Sequence, residues 1–157
     1  MEAKKNTDGS FEVVLGNSGV RNKNGLVFPT EQLRNEIVKL NVRAKQGTAL
    51  AEVGFPQRRP GEDPDNFRRR FTTVDLERVC ARFTDFRVEN DNPADPRIVA
   101  IVQPAGPFAN VARDHLEAGG EGVYFGARFY ADGQMEDNKP KLALRNFITF
   151  DLVAEQP

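Results

Sequence analysis

Apolar positions along this chain recur mostly every second residue, and at helical spacing in two stretches. Phe11 to Leu15 reads as a first strand, closed by Gly16-Asn17-Ser18-Gly19. Asn22-Lys23-Asn24-Gly25 is a turn by its Asn-Gly pair. Thr30 can cap a helix whose first turn holds Glu31, where the helix dipole favours negative charge. Leu33, Ile37, Leu40 and Ala44 then fall on one face, and Gly47 ends the helix. Thr48 to Phe55 is a short apolar strand. Phe71 to Val88 reads as a strand pair or one long bent strand. Val79, Ala81 and Phe83 alternate, then the phase slips before Phe86 and Val88. A one-residue slip turns the buried face over, so a bulge or bend is predicted near Thr84-Asp85. Asn90-Asp91-Asn92-Pro93 makes a turn, and Arg97 to Val102 a nearly continuous apolar strand. Pro107 to Leu116 is a second helix, with Pro107 in its first turn and Gly119-Gly120 past its end. Gly122 to Ala131 and Leu144 to Val153 are the last strands, separated by a polar loop from Asp132 to Lys141.

These elements amount to about six or seven strands and two main helices, with no internal repeat. Strands follow one another mostly without intervening helices. That favours a mainly β, α+β fold, an antiparallel or mixed barrel-like sheet with peripheral helices. Residues 1–10 read as a flexible polar tail and residues 11–157 as a single domain. Gln57 to Arg70 holds two prolines and five arginines and reads as a long surface loop.

Composition narrows the function. A chain of 157 residues can bury a real core. Its mean hydropathy of −0.55 fits a soluble globular protein, and its net charge of −1 gives no bulk attraction for nucleic acid or membrane. No stretch approaches the roughly 18 apolar residues of a membrane span. The first residues lack the apolar core of a signal peptide, so synthesis in a cytoplasm is the simplest reading. Cys80 is alone, so no intrachain disulfide is expected. Twelve phenylalanines and no tryptophan suit a core of rings packed between strands.

Metal and cofactor chemistry find no support. One His and one Cys cannot make a zinc site. Glu62, Asp63, Asp65, Asp91 and Asp95 lack EF-hand spacing. Gly119-Gly120-Glu121-Gly122 lacks the Lys-Ser/Thr of a phosphate loop. Cys80 reads as a packed, inert thiol. His115 shares a helical face with Phe108, Val111, Ala112 and Leu116 and reads as a buried imidazole bonded to backbone.

Two segments carry a resemblance. Ala51-Glu52-Val53-Gly54-Phe55-Pro56 resembles the G-E-x-x-His-Pro segment of viral prohead (capsid-maturation) serine proteases. Gly122-Val123-Tyr124-Phe125-Gly126-Ala127-Arg128 resembles their G-V-Ser-Ser-Arg segment. In that family the His is the general base and a Ser the nucleophile. Asn24-Gly25-Leu26-Val27-Phe28-Pro29 resembles the family's opening and Phe150-Asp151-Leu152-Val153 its closing F-D-x-V strand. The resemblance implies a small β-barrel flanked by helices, also used by herpesvirus assemblins. Phe55 stands at the position of the His, and Gly126, followed by Ala127, at that of the Ser. The chain's only serines are Ser10 and Ser18.

Those departures lead to the expectation of a non-enzymatic phage virion protein with no catalytic residue, a capsid decoration or cement protein. Its partner would be the major capsid protein, with self-association into a homo-oligomer and a place in the virion after synthesis in the host cytoplasm. The Arg-rich loop supplies the candidate contacts, with Phe67 as apolar anchor and Arg58, Arg59, Arg68, Arg69 and Arg70 pairing with carboxylates. Sparse aromatic interleaving argues against nucleic acid there. The alternatives are an active maturation protease using non-matching residues, and a non-virion regulatory or host-defence inhibitor protein of a phage.

Overall fold

The computed structural model describes residues 1–17, 30–89, 97–136 and 139–155. The turns expected at 22–25 and 90–93, and the opening segment at 24–29, lie outside the described residues. So do the side chains of Thr30 and Leu33.

Five strands form one antiparallel sheet: β1 (Ala3–Lys5), β2 (Phe11–Asn17), β3 (Leu50–Glu52), β4 (Val79–Glu89) and β5 (Arg97–Pro104), in the order β1-β2-β5-β4-β3. The remaining two, β6 (Val123–Glu136) and β7 (Lys139–Ala154), make a long antiparallel ribbon. Among the described residues three α-helices accompany them, α1 (Thr30–Lys45), α2 (Pro64–Thr72) and α3 (Ala109–Glu117), with one 3-10 turn at Leu76–Arg78. The fold is α+β and mainly β, as the periodicities indicate. The bulge falls where the phase slips, with the β4–β5 register shifting between Phe83 and Asp85.

The barrel is a correction, since the two sheets do not close on each other. One parallel bridge, Val53 to Leu152, joins β3's end to β7. β3 is only three residues long, and α1 takes over where it stops. Asn41 receives the Phe86 backbone N–H at 2.8 Å and donates to the Phe86 carbonyl at 2.7 Å. Arg43 donates to the carbonyls of Ile148 and Phe147 at 2.6 and 2.7 Å, and Glu36 accepts the Phe147 N–H at 3.2 Å. Phe147 and Ile148 sit at a register shift in the ribbon. Side chains of a helix thus satisfy backbone groups that a longer strand would have paired.

Three local expectations also change. Residues 1–10 contain a strand, with Ala3 opposite Val13. The expected loop at 57–70 contains α2, which Pro64 opens, because proline's missing N–H costs nothing in a first helical turn. The polar loop at 132–141 is mostly ribbon, with β6 running to Glu136 and β7 starting at Lys139.

The core lies between the sheet and the ribbon, where Phe83 meets Phe125 edge-on at 5.2 Å and Phe147 stacks on Phe150 at 5.2 Å. Each buried ring contributes roughly 1.5–3 kcal/mol of transfer free energy. α1 adds Ile37, Leu40 and Ala44, and α3 adds Ala112 and Leu116. His115 is half-buried, while Phe108 and Val111 are exposed, so α3 turns a narrower face inward than its spacing suggests.

Candidate functional site

Glu52, Arg128 and Asp151 interrupt apolar strand runs, and all three side chains point inward and are buried. Arg128 is the largest fully buried side chain among the described residues. Its Nη2 lies 2.6 Å from Glu52 Oε2 and 3.1 Å from Asp151 Oδ1, and its Nε pairs with Asp151 Oδ2 at 2.9 Å. Its Nη1 donates to the carbonyls of Phe71 and Thr73 at 3.2 and 3.3 Å. Asp151 Oδ1 accepts the Glu52 N–H at 3.1 Å, and Glu52 Oε2 accepts the Asp75 N–H at 3.2 Å. The half-exposed Arg78 approaches Glu52 Oε1 at 3.5 Å and donates to the Val53 carbonyl.

Arg128 faces both carboxylates and the half-exposed Arg78 reaches Glu52, while Asp151 is fully buried. Burial therefore dominates at Asp151 and pushes its pKa up to about 6, although Arg128 pulls the other way. Cys80 lies close enough to feel both carboxylates. Burial first, and Asp151 next, push its thiol up to about 12, so it is no thiolate nucleophile at neutral pH.

The turn after Glu52 positions Phe55. Gly54 adopts φ +74, open to glycine with little strain, and its N–H donates to the Leu152 carbonyl at 2.7 Å. Phe55 then reaches Gly126 on β6. A Cβ added at Gly126 would lie 2.5 Å from Phe55 Cζ, 3.1 Å from Tyr124 Cε2 and 3.2 Å from Val153 Cγ2. Positions 55 and 126, distant in sequence, are thus neighbours in space. His115 is on α3, Ser10 is buried beside Asp8, and Ser18 lies outside the described residues. Among the described residues no group of three or more His, Cys, Asp or Glu is arranged to hold a metal ion.

The arginine segment is more ordered than a loop. Arg70 grips Glu62 with Nε at 2.7 Å and Nη2 at 2.8 Å, and Nη2 also donates to the Gln57 carbonyl at 2.6 Å. The Arg59 N–H donates to Glu62 Oε2 at 2.9 Å, and Arg58 donates to the Glu62 carbonyl at 3.1 Å. The Arg70 guanidinium first, and the Arg59 N–H next, hold the Glu62 carboxyl down at about 2. Phe67 packs against Phe71 at 5.9 Å and under the Arg70 guanidinium at 5.8 Å. Arg58, Arg59, Arg68 and Arg69 have exposed side chains.

Sequence spacing did not bring Glu52, Arg128 and Asp151 together. The available signal was a charge inside an apolar run in each of three segments, Ala51 to Pro56, Gly122 to Arg128 and Phe150 to Val153. These are the segments that resemble the protease motifs, and their charged letters meet in one buried cluster.

The architecture is that of a phage capsid protease. The solved capsid assembly protease gp21 of bacteriophage T4 superposes with a TM-score of 0.66 at 17% identity, covering 99% of this chain and 90% of that one. Sequence confirms the class: a model of the Peptidase S80 family matches residues 2–157, and the chain belongs to that family of phage capsid-maturation proteases. No curated protein matches. The expectation of a non-enzyme, drawn from Phe55 and Gly126, is thereby overturned, because both the family and the structural neighbour are proteases. Residues 55 and 126 are still Phe and Gly, but this concerns two positions and does not take the chain out of a protease class.

Proposed function

We propose that this chain is a capsid-maturation protease of a tailed phage, cutting capsid or scaffold polypeptides with groups other than residues 55 and 126. The observation that carries the reading is the match of nearly the whole chain to the fold of a capsid assembly protease. Family membership over residues 2–157 supports a phage-associated, capsid-related role. A hydrolase of this kind needs a nucleophile and a base within hydrogen-bond reach of each other. Phe55 and Gly126 offer neither. The test is to incubate the purified chain with coat and scaffold proteins and map new termini by mass spectrometry. Discrete fragments are expected. No fragment even at equimolar chain and substrate would overturn the reading.

A second reading concerns where the chain resides. The cationic face of α2 and the partly exposed Phe55 and Tyr124 favour lasting attachment to the major capsid protein, as a decoration component and as a homo-oligomer. Mass spectrometry of purified particles tests it. Copies in number comparable to the coat protein are expected, and absence from particles would instead favour an intracellular regulator.

A further inference from the structure

We propose that the open depression lined by Arg59, Pro60, Gly61, Asn66 and Arg69 binds a carboxylate-rich stretch of another polypeptide. The depression lies between α2 and the turn before it, and Glu62 and Arg70 complete its lining. Its frame is built by internal pairing. Glu62 is occupied by Arg70 and by the Arg59 N–H, and the Phe67 ring is covered by Phe71 and Arg70. Arg70 and Phe67 therefore hold the frame, a role different from the partner contacts expected of them. Arg59 and Arg69 remain with exposed side chains on its wall, and five arginines against Glu62, Asp63 and Asp65 leave the segment net positive. Gly61, at φ +72, has nothing within 4 Å of the place a Cβ would take, so the floor of the turn faces open space.

The chemistry selects the partner. Arginine forks bind carboxylates in bidentate geometry, and Asn66 adds an amide that can donate to a carboxylate or to peptide backbone. A nucleic-acid strand fits less well. Single-strand binding draws on open aromatic faces for base stacking, and the Phe67 ring beside the depression is already packed against Phe71 and under Arg70. The depression's helix is also tied to the interior. Arg128 fastens the carbonyls of Phe71 and Thr73, so the end of α2 is anchored to the buried cluster beneath residues 55 and 126. The inference stands whether or not the chain cleaves.

The test is fluorescence anisotropy with a labelled peptide of alternating Glu and Gly, using the full chain at low and high salt. Binding that weakens about tenfold or more in the Arg59→Ala/Arg69→Ala variant, and with added salt, is expected. Arg113→Ala, which removes an exposed cation from α3, should bind as the parent does. Circular dichroism checks the fold. If the alanine pair unfolds, Arg59→Lys/Arg69→Lys carries the test, with an intermediate loss expected because charge is kept and the fork is lost. No peptide binding, an equal loss in Arg113→Ala, or displacement by inorganic phosphate or an oligothymidine at lower concentration than by unlabelled peptide would overturn the proposal.

Discussion

Two arginines in this molecule meet carboxylates at nearly the same distances in different surroundings. Arg128 meets Glu52 at 2.6 Å and Asp151 at 2.9 Å with no more than 2% of any of the three side chains exposed. Arg70 meets Glu62 at 2.7 Å, with the arginine side chain one-third exposed and the carboxylate side chain 8% exposed. Distance alone would rank them as equals. Solvent ranks them differently. Water reaches the arginine of the surface pair, screens the contact and solvates Arg70 if Glu62 is removed. The buried cluster has no such alternative, so removing one member leaves charges stranded in a poorly polarisable interior.

The sharpest way to break that contrast is Arg128→Met. It takes the guanidinium from Asp151, leaves Glu52 with only the half-exposed Arg78, and releases the carbonyls of Phe71 and Thr73, so a loss of about 3–5 kcal/mol in urea unfolding is expected. A loss no larger than that of Glu62→Gln would erase the contrast. Glu52→Gln, Arg128→Met and Asp151→Asn together should recover part of the loss, because the one charge left without its partner, Arg78, is half-exposed.

Acidity tests the same contrast, with opposite signs. Asp151 has a folded-state pKa raised from 3.8 to about 6, so the native state holds this proton more tightly than the unfolded chain does. Stability should rise as pH falls from about 6 to about 4, by up to roughly 3 kcal/mol. Glu62 is lowered from 4.5 to about 2, so its contribution is present above about pH 4.5 and is lost as pH falls toward 2. Melting temperatures at neutral and mildly acidic pH, measured for the parent and for Asp151→Asn, isolate the first effect. The parent's gain on acidification should exceed that of Asp151→Asn.

A smaller effect is expected where Phe55 fills the space beside Gly126. Gly126→Ala should cost about 1–3 kcal/mol by overpacking. Phe55→Ala should relieve that cost, giving a favourable coupling in a double-mutant cycle. Additive effects would mean that the ring moves aside freely. Least of all should follow from Glu62→Gln, whose melting temperature at neutral pH should stay near the parent's and converge with it in high salt.

Much of the architecture was legible in residue spacing. α1 showed in Ile37, Leu40 and Ala44, and the β4 bulge in the slip between Phe83 and Phe86. α2 was not read, because Pro60 and Pro64 looked like loop residues. Asp63-Pro64 followed by Phe67 and Phe71 four apart was the available sign of a helix. Sheet closure was not legible, because it turns on whether Asn41, Arg43 and Glu36 or a longer β3 serves the edges of β4 and β7. The candidate site was legible only in part. Phe55 and Gly126 were placed together by resemblance to a motif. The Glu52–Arg128–Asp151 cluster depends on pairings across 23 and 76 residues, which no local spacing records.

The helix side chains that finish the β7 edge also bear on how the protein survives at high concentration. An exposed strand edge is a template on which another chain can add a strand, and growth from such templates ends in aggregates. At Phe147 and Ile148 that template is already occupied by Glu36 and Arg43. α1 therefore works as a gatekeeper: it blocks sheet extension at the bulge without adding a strand whose own far edge would then need covering.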